Sequence, residues 1–258
     1  MKKLLMLLSI IGLLSTFGVQ GASAEDPAPS CAQGGVCKLG DIGPGGGIVF
    51  YVRSQETVSV WRSTPVAEKD MAFDANGWKY LEVAPKTWAG GKNDPNHGWC
   101  NNTNTAAAWT KNLQGRDYYY KWRTGKPQSG FLAGTGFGNS QIMFENCTGG
   151  AATKARKYRG GGKSDWYLPR MTEMNQLVMY AGGKLNPDSA CCEKDFPKKQ
   201  NAKFKASTYA FNWGSSYWIS SYSFGRTPAQ NLGPDIFVFG ARYPSNSGLP
   251  FVRPIRAF

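Results

Sequence analysis

The sequence predicts a folded body of short strands and short helices joined by many turns, rather than an all-α protein. Aromatic residues make up 14% of the 258 residues, including nine Trp, which is typical of a packed core and not of a disordered chain. The 32 Gly and 15 Pro indicate many turns and loops. Segments with the apolar period of a long amphipathic helix are scarce, which disfavours an all-α fold.

The first 24 residues have the pattern of a secretory signal peptide. Lys2 and Lys3 precede an apolar stretch that runs to about Val19, and three small residues follow at 22–24. A membrane anchor is the alternative, but the apolar run is short and is interrupted by Ser and Gly. We therefore expect a secreted protein, extracellular or on the cell surface, with the periplasm as an alternative and no transmembrane segment in the mature chain. Residues 25–38 are predicted to form a lead and residues 39–258 a single domain.

The charge balance favours anionic partners. The chain has 30 Lys and Arg against 17 Asp and Glu, a formal net charge of +13, and only two of these lysines belong to the predicted signal peptide. In an exported protein this excess suits anionic polysaccharide or another cell-surface glycan, and it would attract nucleic acid only non-specifically. The alternative is that the charge only aids solubility.

The cysteines predict disulfides, because an even number occurs after the signal peptide of an exported chain. They are Cys31, Cys37, Cys100, Cys147, Cys191 and Cys192. The first two are close enough to close a small loop, and the third and fourth are a plausible longer link. The last two are adjacent, so they either bridge each other or pair elsewhere.

A metal site is not predicted. There is no C-x-x-C pair, and His97 is the sole histidine, so zinc would lack its usual ligands. The oxygen-rich cluster of Asn93, Asp94 and Asn96 could bind calcium, but its spacing fits no EF-hand and a turn is the preferred interpretation. We expect no cofactor.

Strand patterns occur in both halves of the chain. A glycine-rich turn at 40–47 precedes a strand at 48–52, which is the wrong order for a phosphate-binding loop. An alternating segment at 77–84 predicts a second, central strand that Pro85 ends. Further strands are predicted at 217–221, 235–239 and 249–258, the last of them alternating and paired in a sheet close to the N-terminal strand.

Helical signals are short. Residues 150–158 predict a helix with Ala on one side and basic residues on the other, preceded by a turn-rich segment at 134–140. Thr172 is predicted to cap a helix over about 173–180, with the Glu173 carboxylate at its positive end. Residues 181–205 are predicted to be a loop. Aromatic and basic residues alternate within 106–123, which favours either a sugar- or base-stacking face or ordinary core.

Seven short motifs occur in order between residues 38 and 258. They are GDIGPGGGIVFY at 40–51, GWKYLEVAP at 77–85, GTG at 134–136, DWYLP at 165–169, EMN at 173–175, YWISS at 217–221 and VRPIRAF at 252–258. Together they resemble the C-terminal domain family of the Legionella collagen-like adhesin. The resemblance implies an α+β fold of C-type-lectin-like character, with antiparallel sheets, a few short helices, long loops and paired N- and C-terminal strands.

The resemblance also bears on function. For the adhesin it implies trimerisation and binding of sulfated glycosaminoglycans, so a homotrimer is one expected assembly. This chain has no collagen repeats, however, and the matching motifs are mostly core and turn residues, which transfer a fold better than a ligand. The residues expected to define the fold around the corner at 165–169 are Asp165, Trp166, Leu168, Pro169, Glu173, Trp218, Arg253 and Arg256.

The predicted function is non-catalytic binding of anionic polysaccharide through clustered Lys and Arg. The candidates are Lys154, Arg156, Lys157, Arg159 and Lys163 in one group, and Lys198, Lys199, Lys203 and Lys205 in another. One alternative is a polysaccharide-cleaving hydrolase that uses Asp165 and Glu173 as its carboxylates. The other is a purely structural module of a surface assembly. A Ser-His-Asp hydrolase is disfavoured, because His97 is isolated and no nucleophile-elbow motif occurs.

Overall fold

The computed structural model combines helices with small antiparallel sheets, which is compatible with the α+β class. It describes residues 28–53, 75–101, 108–113, 134–183, 197–220, 229–231 and 249–258. The strands are β1 (Ile48–Val52), β2 (Tyr80–Val83), β3 (Ser216–Trp218), β4 (Ala229–Asn231) and β5 (Ile255–Ala257). The helices are α1 (Thr135–Asn146), α2 (Ala151–Lys157), α3 (Met171–Ala181) and α4 (Ala202–Ala206), with 3-10 turns at Cys31–Gln33, Ala108–Asn112 and Gly160–Gly162.

The main sheet has the strand order β1-β2-β5 and is antiparallel throughout. The N- and C-terminal strands share this sheet as expected, but the prediction that they pair directly is wrong, since β2 lies between them. Leu81 and Val83 of β2 face the main core, whereas Glu82 lies opposite Arg256 of β5. The hydrogen-bonding capacity of both edges of β2 is therefore used by the strands on either side.

The predicted strands at 48–52 and 77–84 correspond to β1 and β2. The C-terminal prediction is partly wrong, because only Ile255–Ala257 is a strand and every residue from Val252 to Ala257 is buried. The expected alternation fails because both faces of this segment are covered. The strand predicted at 217–221 starts one residue earlier and ends at Trp218, and the one predicted at 235–239 lies outside the described residues.

Helix α3 packs under the main sheet. Met174, Leu177 and Val178 have no exposed surface and lie in one apolar cluster with residues of β2 and β5. The prediction that Thr172 caps this helix is wrong, because the helix begins earlier and Arg170 is its N-cap residue. The Glu173 carboxylate accepts the Arg170 backbone N–H at 2.7 Å, which supplies the capping contact.

Helix α1 replaces the turn predicted at 134–140. The glycines in this segment argued against a helix, because Gly lowers helix propensity by about 1 kcal/mol relative to Ala. A Cβ atom on Gly136 would lie 2.3 Å from Glu173 Oε2 and 2.8 Å from the Arg170 backbone nitrogen. Glycine at this position therefore allows the first turn of α1 to lie against the start of α3.

Helix α2 forms as predicted, within one residue at each end. Ala151, Ala152 and Ala155 are buried in a second apolar cluster that includes Met143 of α1. The predicted loop at 181–205 is wrong at its end, where α4 begins at Ala202. Asn201 caps α4, with its side-chain oxygen accepting the Phe204 backbone N–H.

Two of the predicted disulfides are present, Cys31–Cys37 and Cys100–Cys147. The first packs against Val49 of β1, so residues 31–37 of the lead contact the sheet. The second joins the end of α1 to the loop after β2. Cys191 and Cys192 lie outside the described residues, as do the predicted signal peptide and most of the aromatic segment at 106–123. Among the helices described, none has the length and apolar character needed to cross a bilayer.

Candidate functional site

The corner at 165–169 lies where the apolar clusters meet. Tyr167 faces the main core and exchanges two backbone hydrogen bonds with Ile255, whereas Leu168 faces the cluster between α1 and α2. Trp166 is fully buried and donates its indole N–H to the Gly160 carbonyl. The eight residues expected to define the fold are buried except for one half-buried acid: Trp166, Leu168, Pro169, Glu173, Trp218, Arg253 and Arg256 are buried, and Asp165 is half-buried.

Glu173 is the centre of this corner. Its Oε1 accepts the Gly134 N–H at 2.6 Å and the Tyr167 hydroxyl at 3.0 Å, and its Oε2 accepts the Arg170 N–H. Burial raises the pKa of Glu173 to about 7, although these hydrogen bonds oppose the rise. Burial also raises the pKa of Tyr167 well above its usual value, and the neighbouring Glu173 charge adds to this effect.

A carboxyl group with a raised pKa is a common feature of catalytic acids, provided that substrate can reach it. Glu173 has no solvent-exposed surface. The donors around it come from the start of α1, the corner and the start of α3, so the carboxylate joins three segments of the chain. A polysaccharide would reach this group only after those segments had separated.

Glu82 forms a second buried polar cluster. Its carboxylate accepts the N–H groups of Gly45 and Gly47 and the Arg256 guanidinium, the last at 2.8 Å. Arg256 also donates to Asp165 at 2.5 Å. Burial raises the pKa of Glu82, and the hydrogen bond from Arg256 opposes that rise. The glycine-rich turn thus binds a carboxylate of this chain itself.

Asp94 and Arg253 form a third cluster. Arg253 has no exposed surface and donates to both carboxylate oxygens of Asp94, at 2.5 Å each. Tyr217 and Trp88 donate to the same carboxylate at 2.9 and 3.2 Å. Its hydrogen bonds join the loop after β2, β3 and the C-terminal segment.

These contacts bear on the calcium interpretation, because Asp94 is the only acid of that oxygen cluster. Both of its oxygens already accept hydrogen bonds from Arg253, Tyr217 and Trp88. Calcium at Asp94 would have to displace a buried arginine. Within the described part of the chain, no three His, Cys, Asp or Glu side chains come together as a metal-binding group.

The first group of basic candidates lies on and after α2. Lys154, Lys157 and Arg159 are exposed, and Lys163 is half-buried; these four residues are called the α2 surface below. Burial lowers the pKa of His97, and the charge of Lys154 adds to this effect.

Arg156 differs from its basic neighbours. Its guanidinium stacks over the Phe137 ring, 4.5 Å from the centroid. It also donates to Gln141 Oε1 at 3.1 Å and to the Trp166 carbonyl at 3.2 Å. This side chain therefore braces α2 against α1 and the corner, and its donors face the interior of the protein.

The second group lies on and before α4. Lys198, Lys199, Lys203 and Lys205 are all exposed. Helix α4 is anchored next to the end of α3, where the Asn201 N–H donates to the Ala181 carbonyl at 2.9 Å. The two basic groups thus lie on different elements. Helix α2 packs against α1, whereas α4 is anchored next to the end of α3.

No family model, curated protein or solved structure matches this chain. The functional conclusion therefore rests on the residues and geometry of the chain. Sequence reasoning missed Glu82, Asp94 and Arg170 as buried polar residues. A single acid within the apolar strand at 80–83 was the one local signal that could have pointed to Glu82.

Proposed function

We propose that this protein is an exported, non-catalytic binding domain for anionic polysaccharide, such as a sulfated glycosaminoglycan. The supporting observation is the α2 surface. Helix α2 buries its three alanines against α1 and turns Lys154 and Lys157 to solvent, and Arg159 follows its C-terminal end. The cations are therefore carried on a packed helix and not on an unsupported loop.

The chemistry of the α2 surface suits a polyanion. Residues three apart on a helix lie on the same face, so Lys154 and Lys157 can meet successive anionic groups of one polymer. Arg159 adds a planar donor set that matches sulfate or carboxylate oxygens. Because these side chains are exposed, salt should weaken the interaction strongly.

The predicted resemblance to the collagen-like adhesin family supports the same ligand class. Membership of that family, the C-type-lectin-like character of the fold, a homotrimeric assembly and a secreted or cell-surface location are parts of this proposal. The two disulfides are compatible with an oxidising compartment.

Retention on immobilised heparin tests the proposal. The variant Lys154→Gln/Lys157→Gln/Arg159→Gln is expected to bind heparin fragments about tenfold more weakly, because three exposed ion pairs are worth about 0.5 kcal/mol each. The matched control is Lys198→Gln/Lys199→Gln/Lys205→Gln, which removes the same charge from the second group. A much smaller loss is expected for the control.

The control separates a site from general charge attraction. Equal losses in the two triple variants would show that only net charge matters, and elution of the wild type at low salt would contradict the proposal outright. A glycan array at two salt concentrations identifies the preferred sugar. Oligomers that bind no glycan on that array would support the structural-module alternative.

A further inference from the structure

A cavity of about 250 Å³ lies between the start of β1, the end of α3 and helix α4. Its apolar walls are Leu39, Ile48, Tyr180 and Phe204, and Asn201 and Lys203 contribute polar groups. It lies outside the α2 surface and outside the buried polar clusters, and it contains only one of the residues discussed above as polyanion candidates, Lys203.

The apolar surface continues outside the cavity. Leu39 at its edge is 41% exposed, and Ile42, which bridges to Ile48 in the backbone, is 45% exposed. Large exposed apolar side chains carry an unfavourable hydration free energy, and clusters of them mark binding surfaces. An extended apolar ligand could therefore occupy the cavity and continue along Leu39 towards Ile42.

Two lining residues supply polar side-chain groups, Asn201 and Lys203. Lys203 is exposed and carries a positive charge. The Asn201 side-chain oxygen accepts the Phe204 N–H, while its Nδ2 atom has no hydrogen-bond partner among the described residues. The cavity lining thus offers an ammonium group and an amide donor to a ligand.

Tyr180 suits an anion less well than Lys203 does. Burial and then the negative charge of Asp41 raise the pKa of its hydroxyl. A ligand anion placed beside Tyr180 would meet that charge. An anionic group is therefore expected at Lys203, with the apolar part of the ligand against the apolar lining residues.

We propose that this cavity binds a small amphipathic carboxylate, with its carboxylate at Lys203 and Asn201 and its apolar chain against Leu39, Ile48 and Phe204. The size agrees, because an apolar cavity of about 150 Å³ accommodates benzene and this one is larger. A carboxylate suits the single ammonium group better than a polyanion does. The site is independent of polysaccharide binding at the α2 surface.

Titration of the full mature protein with octanoate tests the site, with octanamide as the uncharged probe of similar shape. Amide chemical shifts of isotope-labelled protein locate the ligand, and changes are expected at Ile48, Tyr180 and Gly183. Lys203→Gln should weaken octanoate binding about threefold to fivefold and leave octanamide unchanged, because it removes one exposed charge pair. Lys205→Gln, on the same helix but outside the cavity lining, is the matched control and should change neither.

A second variant tests the apolar part. Leu39→Gln changes an exposed side chain, so folding should persist, and it should weaken octanoate and octanamide binding alike. The proposal is overturned by the absence of shifts at millimolar octanoate, by shifts centred elsewhere, or by equal effects of Lys203→Gln and Lys205→Gln. A dimer that dissociates with Leu39→Gln would instead assign this surface to a second copy of the chain. Failure of the wild-type protein to bind heparin, with octanoate binding present, would refute only the polysaccharide proposal.

Discussion

Glu173 has a structural role that follows from its burial and not from its residue type. A carboxylate without exposed surface loses its hydration, and burial therefore favours the protonated form. The Gly134 and Arg170 N–H groups partly compensate for this loss. The protonation state of Glu173 thus couples pH to the contact between α1 and α3.

The stability of the fold should depend on pH through Glu173. Its pKa is raised from 4.5 to about 7 in the folded protein, so the folded state binds more protons than the unfolded state between these values. The stabilisation is complete below about pH 4.5 and is lost as pH rises through 7, with a slope of up to about 1.4 kcal/mol per pH unit. Urea unfolding from pH 4 to 8 measures this slope.

The variant Glu173→Gln isolates the effect, because a glutamine cannot titrate. The difference in unfolding free energy between wild type and variant should change between pH 4.5 and 7 and be constant outside that window. Burial also raises the pKa of Glu82, which adds a slope of the same sign in both proteins. A constant difference across the whole range would show that the Glu173 pKa is not raised.

Neighbouring basic residues on α2 have different surroundings. Arg156 and Lys157 are neighbours with the same charge, and nothing in the sequence separates their roles. In the structure, Arg156 stacks on Phe137 and donates to the Trp166 carbonyl, whereas Lys157 is exposed. Contacts with α1 and the corner therefore decide which cation can meet a ligand.

Among the elements, α1 depends most clearly on its tertiary contacts. It contains Gly136 and Gly138 in its first turns, so its local helix propensity is low. Gly136 is buried against Glu173 and Arg170, whereas a Cβ atom on the exposed Gly138 would meet nothing within 4 Å. The two glycines thus occupy the same helix for different reasons.

Alanine substitutions distinguish the two positions. Gly138→Ala should stabilise the protein by about 0.5–1 kcal/mol, because it restricts the unfolded chain and adds no clash. Gly136→Ala should destabilise it by about 1–3 kcal/mol, because its methyl group would overlap the Glu173 carboxylate. Urea unfolding at a single pH measures both. Stabilisation by both substitutions would contradict the close packing of α1 against α3.

The glycine-rich turn at 40–47 also needs its glycines because of a tertiary contact. A Cβ atom on Gly43 or Gly45 would lie 2.5 or 2.6 Å from an oxygen of Glu82. The turn therefore needs glycine for close approach to a carboxylate, and the pattern alone could not identify that partner. Its position before β1, and not after a strand, also differs from that of a phosphate-binding loop.

For the whole molecule, the two described disulfides stabilise very different lengths of chain. Cys31–Cys37 has a sequence separation of 6 residues and Cys100–Cys147 one of 47. A longer closed loop removes more conformational entropy from the unfolded chain. Cys100–Cys147 also connects the α1–α2 cluster with the loop that holds Asp94, so it links two parts of the fold.

Removal of each disulfide should reflect this difference. Chain entropy predicts a loss of about 4 kcal/mol for Cys100→Ser/Cys147→Ser and about 2 kcal/mol for Cys31→Ser/Cys37→Ser. Thermal unfolding of each double variant at the same pH tests the order. A greater loss from the shorter loop would mean that local packing around Val49, and not loop length, sets the stability.

The sequence by itself determined the short elements with local signals. The strand at 48–52, helix α2 and two cysteine pairs could be predicted because alternation, alanine spacing and loop length act over short stretches of the chain. The corner at 165–169 was also identifiable, since its aromatic, proline and carboxylate residues lie within a few positions of one another.

Tertiary structure alone decided the position of β2 between the terminal strands, the formation of α1 and the partners of the buried charges. Asp94 and Arg253 are 159 residues apart in the sequence but only 2.5 Å apart in space. Such pairs form because an unpaired charge is too costly to bury, and the sequence does not encode locally which residues will meet. Tertiary contacts also separate the exposed cations of the α2 surface from Arg156. The cavity beside Lys203 is formed by segments that are far apart in the sequence, so the sequence did not predict it.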